Sequence, residues 1–300
     1  MITFKDLGTY GRLGNQMFQY AALRGIAEKN GFVSKIPNFS SSRWHGQDCL
    51  LQNFNLKSDF LEPIDQFNII GRDVFEKNHD EFDESLFDIE DNVSIKGFFQ
   101  FTKYFEHCED LIRQEFTPKE EFLRPATELI NKYKEGGHEI VSIHVRRGDM
   151  MQHMYEDTGV HPDSVFGPDN IFDDNTIFGN YLNKSMKLFE GKKVKYFVFA
   201  GGKRTGNDSD DISYIKRVFK GDDFIISDSN DPMVDFTRIM SCDHNITCHQ
   251  STFGWWAAYL NPNKDKIVTS PEHYFFLYDR QRNDRRISNG HFPENWNIIK

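Results

Sequence analysis

The sequence predicts an α/β protein of two doubly wound domains facing a cleft. Three observations predict it. Strand-type apolar runs alternate with helical stretches through both halves of the chain. In the first half, a strand enters a helix through a turn bearing Gly8, Gly11 and Gly14. In the second half, two strands end in residues suited to anions, Arg146-Arg147 and Ser251-Thr252. Open parallel sheets bind ligands beyond the carboxyl ends of their strands, and this is that layout.

A strand is expected over residues 2–7, followed by a helix from about Asn15 to Lys29, which Asn30-Gly31 stops. Met17, Tyr20, Ala21, Leu23 and Ala27 lie on or near one face of that helix. The glycine turn matches neither the dinucleotide fingerprint nor a P-loop, so it serves either close ligand approach or tight strand–helix packing. A strand is expected at 32–36, and one from Ser94 to Phe101 that runs into a loop. Helices follow over Phe105–Phe116, closed by Thr117-Pro118, and over Pro125–Lys134. Glu135-Gly136-Gly137 then marks a boundary between domains 1–136 and 137–300.

The second half opens with Val141-Ser-Ile-His-Val145, which alternates like a pleated strand and ends at Arg146-Arg147-Gly148-Asp149. Two guanidiniums at a strand end either hold an oxyanion in their planar forks or pin a loop through Asp149. Residues 150–175 are polar and long for a connection, as expected of a lid or acceptor loop. Next come a helix from Phe178 to Phe189, a buried strand from Val194 to Ala200 and a loop to Asp208. A helix is expected after Ser209 as N-cap, and Asp208-Ser-Asp210 reads as that helix start rather than a metal motif. A strand at 224–227, a helix from Asp231-Pro232 to about Ser241 and a strand at 244–248 lead to Ser251-Thr252. There hydroxyls and the first amides of a helix make a seat for an anion. Trp255 and Trp256 anchor that helix in the core. A last strand is expected at 267–269, before an aromatic and basic tail.

Composition bounds the function. A net charge of −10 excludes general phosphate-backbone binding, so nucleic acid is not an expected partner. The 29 phenylalanines are enough for real cores. Cys49, Cys108, Cys242 and Cys248 form no Cys-x-x-Cys pair and are expected as reduced thiols; Cys242, His244, Cys248 and His249 fit no common zinc spacing. No apolar run approaches the ~18 residues of a membrane span, and the first residues lack a signal-peptide core. The expected compartment is the cytoplasm.

Three blocks resemble one family. Gly11-Arg-Leu-Gly-Asn-Gln-Met-Phe-Gln-Tyr-Ala21 is similar to the opening block of bacterial-type α-1,2-fucosyltransferases. His144-Val-Arg-Arg-Gly-Asp149 resembles the His-x-Arg-Arg-x-Asp motif shared by α-1,2-, α-1,6- and protein O-fucosyltransferases. Ser251-Thr-Phe-Gly-Trp-Trp-Ala-Ala-Tyr-Leu260 is similar to the α-1,2 family's Trp-Trp-Ala-Ala block. Asp235 to His244 also resembles the family's preceding helix.

The resemblance implies a GT-B-type fold and inverting transfer of fucose from GDP-fucose to a galactose-type glycan in α-1,2 linkage. It implies no cofactor and no metal. It implies acceptor binding by the N-terminal half and donor binding by the C-terminal half. Alternatives are a protein Ser/Thr acceptor, or a nucleotide-sugar-binding protein without turnover. No integral membrane segment is expected, and peripheral association with a lipid-linked glycan stays open. Carried over, Arg146 holds the diphosphate, with Arg147 near it and His144 on the nucleotide. Ser251, Thr252 and Phe253 line the phosphate seat. Gly14 lies beside the donor, and Asn15 faces the reacting centre. Asp149 fixes the arginines or the loop; apart from the resemblance, Asp149, Glu156 and Asp157 are near in sequence and are the candidates for a general base. The family's acidic segment after the strand ending at Ala200 is replaced by Gly201-Gly202, and Ser209-Asp-Asp211 follows later, so Asp211 is the candidate for the donor's base. Gln250 and Gly254 stand where the family usually has asparagine and serine.

Overall fold

The computed structural model describes residues 1–44, 47–148, 160–161, 163–201, 208–272 and 279–300. They form two compact units, Met1–Glu120 with Asp279–Glu294, and Glu121–Tyr278 with Asn295–Lys300.

The first unit contains β1 (Ile2–Thr3), α1 (Leu13–Asn30), β2 (Ser34–Ile36), a small hairpin of β3 (Arg43–Trp44) and β4 (Gln47–Asp48), and β5 (Asp59–Phe60). Then come α2 (Pro63–Asn68), β6 (Asp73–Phe75), β7 (Val93–Lys96) and α3 (Glu109–Glu115). Its main sheet is parallel, in the order β5-β2-β1-β7-β6. The direction of strand order therefore reverses beside β1, where β7 joins it. The long helix α1 is buried on nearly every side, not on a single face. Gly25 lets this happen: a Cβ there would lie 1.9 Å from the Tyr104 carbonyl oxygen. The expected strand from Ser94 to Phe101 ends at Lys96, and Phe99 beyond it takes a left-handed φ of 51°.

The second unit starts with α4 (Glu120–Tyr133), then β8 (Glu139–Val145), α5 (Asp163–Phe166), α6 (Ile177–Lys187), β9 (Val194–Ala200), α7 (Asp208–Val218) and β10 (Phe224–Ile226). It continues with α8 (Pro232–Ser241), β11 (His244–Ile246), α9 (Thr252–Leu260) and β12 (Val268–Pro271). The chain then forms α10 (Arg280–Ser288) in the first unit and returns for β13 (Asn297–Ile299). The second sheet is also parallel, in the order β10-β9-β8-β11-β12-β13. Counted from β8, this is 3-2-1-4-5-6, the order of dinucleotide-binding sheets, with its switch point between β8 and β11. A buried polar ladder fixes the register there. Asn245 Nδ2 donates to Ser142 Oγ at 2.8 Å, and Asn261 Nδ2 donates to Asn245 Oδ1 at 2.8 Å.

Three expectations change. The division between units falls near residue 120, not at Gly136-Gly137. Helix α4 belongs to the second unit, where Tyr133 meets Phe197 and Lys134 pairs with Asp243; the glycines, both left-handed, only turn it into β8. Residues 279–294, expected in the second domain, belong to the first. Within the expected 150–175 loop, Val160, Val165, Phe166 and Ile171 are buried in the second unit's core. That part is packed structure rather than a lid. Among the described residues, no helix is long and apolar enough to cross a membrane.

Candidate active site

β8 carries the chain to the switch point and stops, and Arg146 is the first residue beyond it. Its backbone N–H donates to Cys248 Sγ at 3.3 Å, and its Nη1 donates to the Gln250 carbonyl oxygen. Both partners lie in the turn between β11 and α9, so the guanidinium is drawn across the switch point. Gln250 reaches it from a left-handed backbone, φ 47°, a conformation that costs a residue with a Cβ about 1–2 kcal/mol. Strain of this kind gathers at functional turns.

The turn ends in α9, whose N-cap is Ser251. The Ser251 hydroxyl accepts from Gly254 N and hydrogen-bonds His144 Nδ1 at 3.2 Å. It is buried. Ser251 therefore builds the turn on which the phosphate seat is expected. The half-buried Thr252 and Phe253 lead the helix, whose first amides and positive dipole end favour an anion. His144 packs under this turn so closely that a Cβ on Gly254 would lie 2.5 Å from Nδ1. Any side chain at position 254 would displace this ring. Burial, reinforced by the Arg146 charge, lowers the His144 pKa to about 3. The imidazole is neutral at ordinary pH, and Arg146 is the cation of this turn.

Arg147 goes the other way, as strand alternation requires. Its guanidinium carbon lies 3.6 Å from the Tyr214 ring centroid, and Nη1 is 3.7 Å from Asp211 Oδ1. Asp211 is buried and accepts from Gly148 N at 2.7 Å. Asp211, the residue expected at the donor's base, holds the loop after β8 through this bond.

In the first unit, Gly11 adopts φ 84° at the turn into α1, and a Cβ on it would lie 2.8 Å from Asn15 Nδ2. Arg12 is the N-cap residue, its side chain not bonded to the helix's first amides, and Gly14 is buried in the first turn. The carbonyls of the glycine turn are held by two glutamines whose roles local sequence does not reveal. Gln16 Nε2 donates to Gly11 O at 2.7 Å, and Gln19 Nε2 donates to Tyr10 O at 3.0 Å. Gln100, just beyond β7, donates from Nε2 to Asn15 Oδ1 at 3.0 Å. Asn15 thus stands at this sheet's own switch point.

Asp149, Glu156, Asp157 and Gly202 lie outside the described residues. The cysteine–histidine group does not converge on a metal. His244 bonds Glu139 at 2.7 Å and Ile267 N at 2.9 Å, while the His249 ring contacts Phe178 and Tyr181. Burial raises the Cys248 thiol to about 12.

Comparison with known proteins agrees with this architecture. Galactoside alpha-(1,2)-fucosyltransferase 1 of Rattus norvegicus is 30% identical over 261 residues, covering 83% of this chain and 61% of the relative. The protein of that name from Homo sapiens is 29% identical over 259 residues, covering 83% and 63%. The chain thus spans a little over three-fifths of the length of these relatives. Among solved structures, fucosyltransferase NodZ from Bradyrhizobium matches with a TM-score of 0.50 at 14% identity, covering 87% of this chain and 93% of NodZ. NodZ alpha-1,6-fucosyltransferase co-crystallized with GDP also gives 0.50 at 14% identity, covering 90% and 94%. At that identity the likeness is one of fold, the GT-B class of two Rossmann-like units. The model of glycosyl transferase family 11 matches residues 2–300, and the chain belongs to that family.

Proposed function

We propose that the protein transfers L-fucose from GDP-fucose to a hydroxyl of a galactose-type glycan, forming an α-1,2 linkage with inversion and without a metal ion. One observation carries the reading: at the switch point of a 3-2-1-4-5-6 sheet, Arg146 meets the N-terminal turn of α9. A fixed guanidinium and a helix N-terminus suit a diphosphate. The galactoside relatives and the GDP-bound NodZ structure support the choice of donor and acceptor class.

Transfer breaks the bond between the anomeric carbon and the diphosphate oxygen. The electron pair leaves with GDP, and Arg146 with the α9 amides stabilises the charge that grows there. Such preorganised donors are worth about 10²–10³ in rate each. The acceptor hydroxyl attacks the opposite face and gives its proton to a carboxylate, for which Asp149, Glu156 and Asp157 are the candidates. Asn15 is the residue that the family resemblance puts at the reacting groups. His144, neutral and buried, shapes the seat.

The test is a screen with GDP-fucose and galactosides such as lactose, in excess EDTA, with products read by mass spectrometry and linkage analysis. Fucosyl-α-1,2-galactoside and GDP are expected. Equal use of UDP-galactose would reject the donor assignment, and activity restored only by Mn²⁺ would reject the metal-free mechanism. Tight GDP binding with neither transfer nor slow GDP-fucose hydrolysis would make the protein a binder rather than a catalyst.

A further inference from the structure

In the first unit, the loop after β6 is built around one carboxylate. Glu76 is the first residue past the strand, and its side chain is fully buried. It accepts from Phe98 N at 2.9 Å and from Phe99 N at 3.1 Å, and His79 Nδ1 completes the set at 2.7 Å. The chain beyond β7 is shaped to allow this. Phe99 takes its left-handed φ of 51° here, and a Cβ on Gly97 would lie 2.5 Å from Glu76 Cβ. Other polar groups of the loop are used within the unit. The His79 carbonyl accepts from Arg286 Nη1, and Asp80 N donates to Asn78 Oδ1 at 3.0 Å. The Asp80 carboxylate accepts from Arg282 at 2.6 Å and from Arg286 at 3.2 Å. A loop held this firmly presents the His79 ring at its surface, 50% exposed.

The chemistry of the pair dictates which ring nitrogen carries the hydrogen. A carboxylate only accepts, so Nδ1 is the donor, and Nε2 of the neutral ring is an acceptor. The bond to Glu76 raises the His79 pKa; burial and the Arg286 charge oppose this, and the charges of Glu76 and Asp80 add to it. Aromatic carbon stands beside the ring. Phe98 meets it edge-to-face at 5.2 Å, and Tyr10 stacks on Phe98 at 5.0 Å, both half-buried. The group lies past the carboxyl ends of β6, β7 and β1, neighbours in the first sheet, and open parallel sheets receive ligands there. An oriented acceptor next to aromatic carbon suits a sugar, whose hydroxyls donate while its C–H groups pack on apolar surface. We propose that His79, oriented by Glu76, is a saccharide-binding residue: its Nε2 accepts a hydroxyl hydrogen of the glycan acceptor beside Phe98. This rests on the reading of the acceptor as a galactose-type glycan.

His79→Asn separates this role from a structural one. Asparagine keeps a donor where Nδ1 stands, and so keeps the bond to Glu76, but has nothing in place of Nε2. Melting temperature should stay close to wild type. The loss should appear in KM for lactose, about five- to tenfold for one neutral hydrogen bond, rather than in kcat or in KM for GDP-fucose. Only the neutral ring accepts, so in the wild type KM for lactose should also rise as pH falls through the His79 pKa. His79→Asn should lack that rise. Wild-type KM for lactose in His79→Asn, or the same pH dependence in both proteins, would overturn the proposal. An arm independent of turnover is the imidazole ¹H–¹⁵N spectrum, with His79 assigned through its loss in His79→Asn. Lactose without donor should move the Nε2 resonance and lower the pKa of His79, because the ligand favours the neutral ring. Unmoved resonances in a protein that fucosylates lactose would also overturn the proposal. Movement without any transfer would reject the function and not the sugar site; neither movement nor transfer would reject both.

Discussion

Arg146 and Arg147 are adjacent in sequence and opposite in task, and lysine at each should separate the two. Arg146 spans the switch point to Gln250, where a planar fork can hold a diphosphate. Lysine there keeps the charge but loses the fork. Removing a fixed donor to a developing anion costs about 10²–10³ in rate, or roughly 3–4 kcal/mol of transition-state stabilisation. Arg146→Lys should lose that much in kcat/KM with little change in melting temperature. Arg147 lies 3.6 Å above the Tyr214 ring and beside Asp211, with its side chain 16% exposed. Lysine cannot stack flat on the ring, so Arg147→Lys should lose about 1 kcal/mol, or ~2–4 °C in melting temperature. It should keep its rate within about tenfold. The assay is GDP release with a galactoside acceptor, alongside thermal unfolding and GDP titration. Equal rate losses at the two positions would refute the assignment of one arginine to the ligand and the other to the loop. So would a melting-temperature loss confined to Arg146→Lys.

Other outcomes follow from buried or strained groups. His144 titrates near 3 in the native protein against about 6.5 unfolded, so below pH 6.5 the unfolded chain binds a proton that the native chain does not. Its contribution is complete above pH 6.5 and falls by about 1.4 kcal/mol per pH unit down toward 3, about 2 kcal/mol lost by pH 5. Urea midpoints at pH 7 and pH 5 should therefore converge in His144→Gln; an unaltered pH slope would discount the burial argument. Gln250→Asn should raise stability by roughly 0.5–1 kcal/mol in chemical denaturation, since asparagine tolerates the left-handed region better. No gain would mean that the turn is not strained. Gly25→Ala forces a Cβ against the Tyr104 carbonyl, and should cost about 1–3 kcal/mol or abolish soluble expression; wild-type stability would contradict the close approach.

The legible parts of this chain were those with a local signature. The alternation of β8 and its abrupt polar end located Arg146, and the same alternation assigned its neighbour to the other side, where Tyr214 waits. The glycine turn and the hydroxyl turn were readable for the same reason. Strand order was not: 3-2-1-4-5-6 is decided by which strands pair, and no periodicity within a strand records its neighbours. The unit boundary was misplaced because a glycine pair ending a helix resembles a linker until the packing of that helix is known. The return of 279–294 was invisible because its basic residues read as solvated tail. Their partners, Asp80 and Gln100, lie about two hundred residues away in sequence.

These misses share a physical cause that changes how a ligand-type motif is read. A turn that brings backbone close to a ligand has few neighbours to satisfy its own polar groups, and buried polar groups must be satisfied. Gln16 and Gln19 hold the carbonyls of the glycine turn, Ser251 caps the helix whose amides form the seat, and Asp211 anchors the amide after Arg147. Four polar residues thus shape three turns, and two other side chains, Asn15 and Arg146, stand at the switch points of their own sheets. Resemblance of a motif transfers the turn as a whole. A hydrogen bond that a side chain gives its own turn is a role apart from any contact with substrate, and Ser251 and Asp211 each carry one.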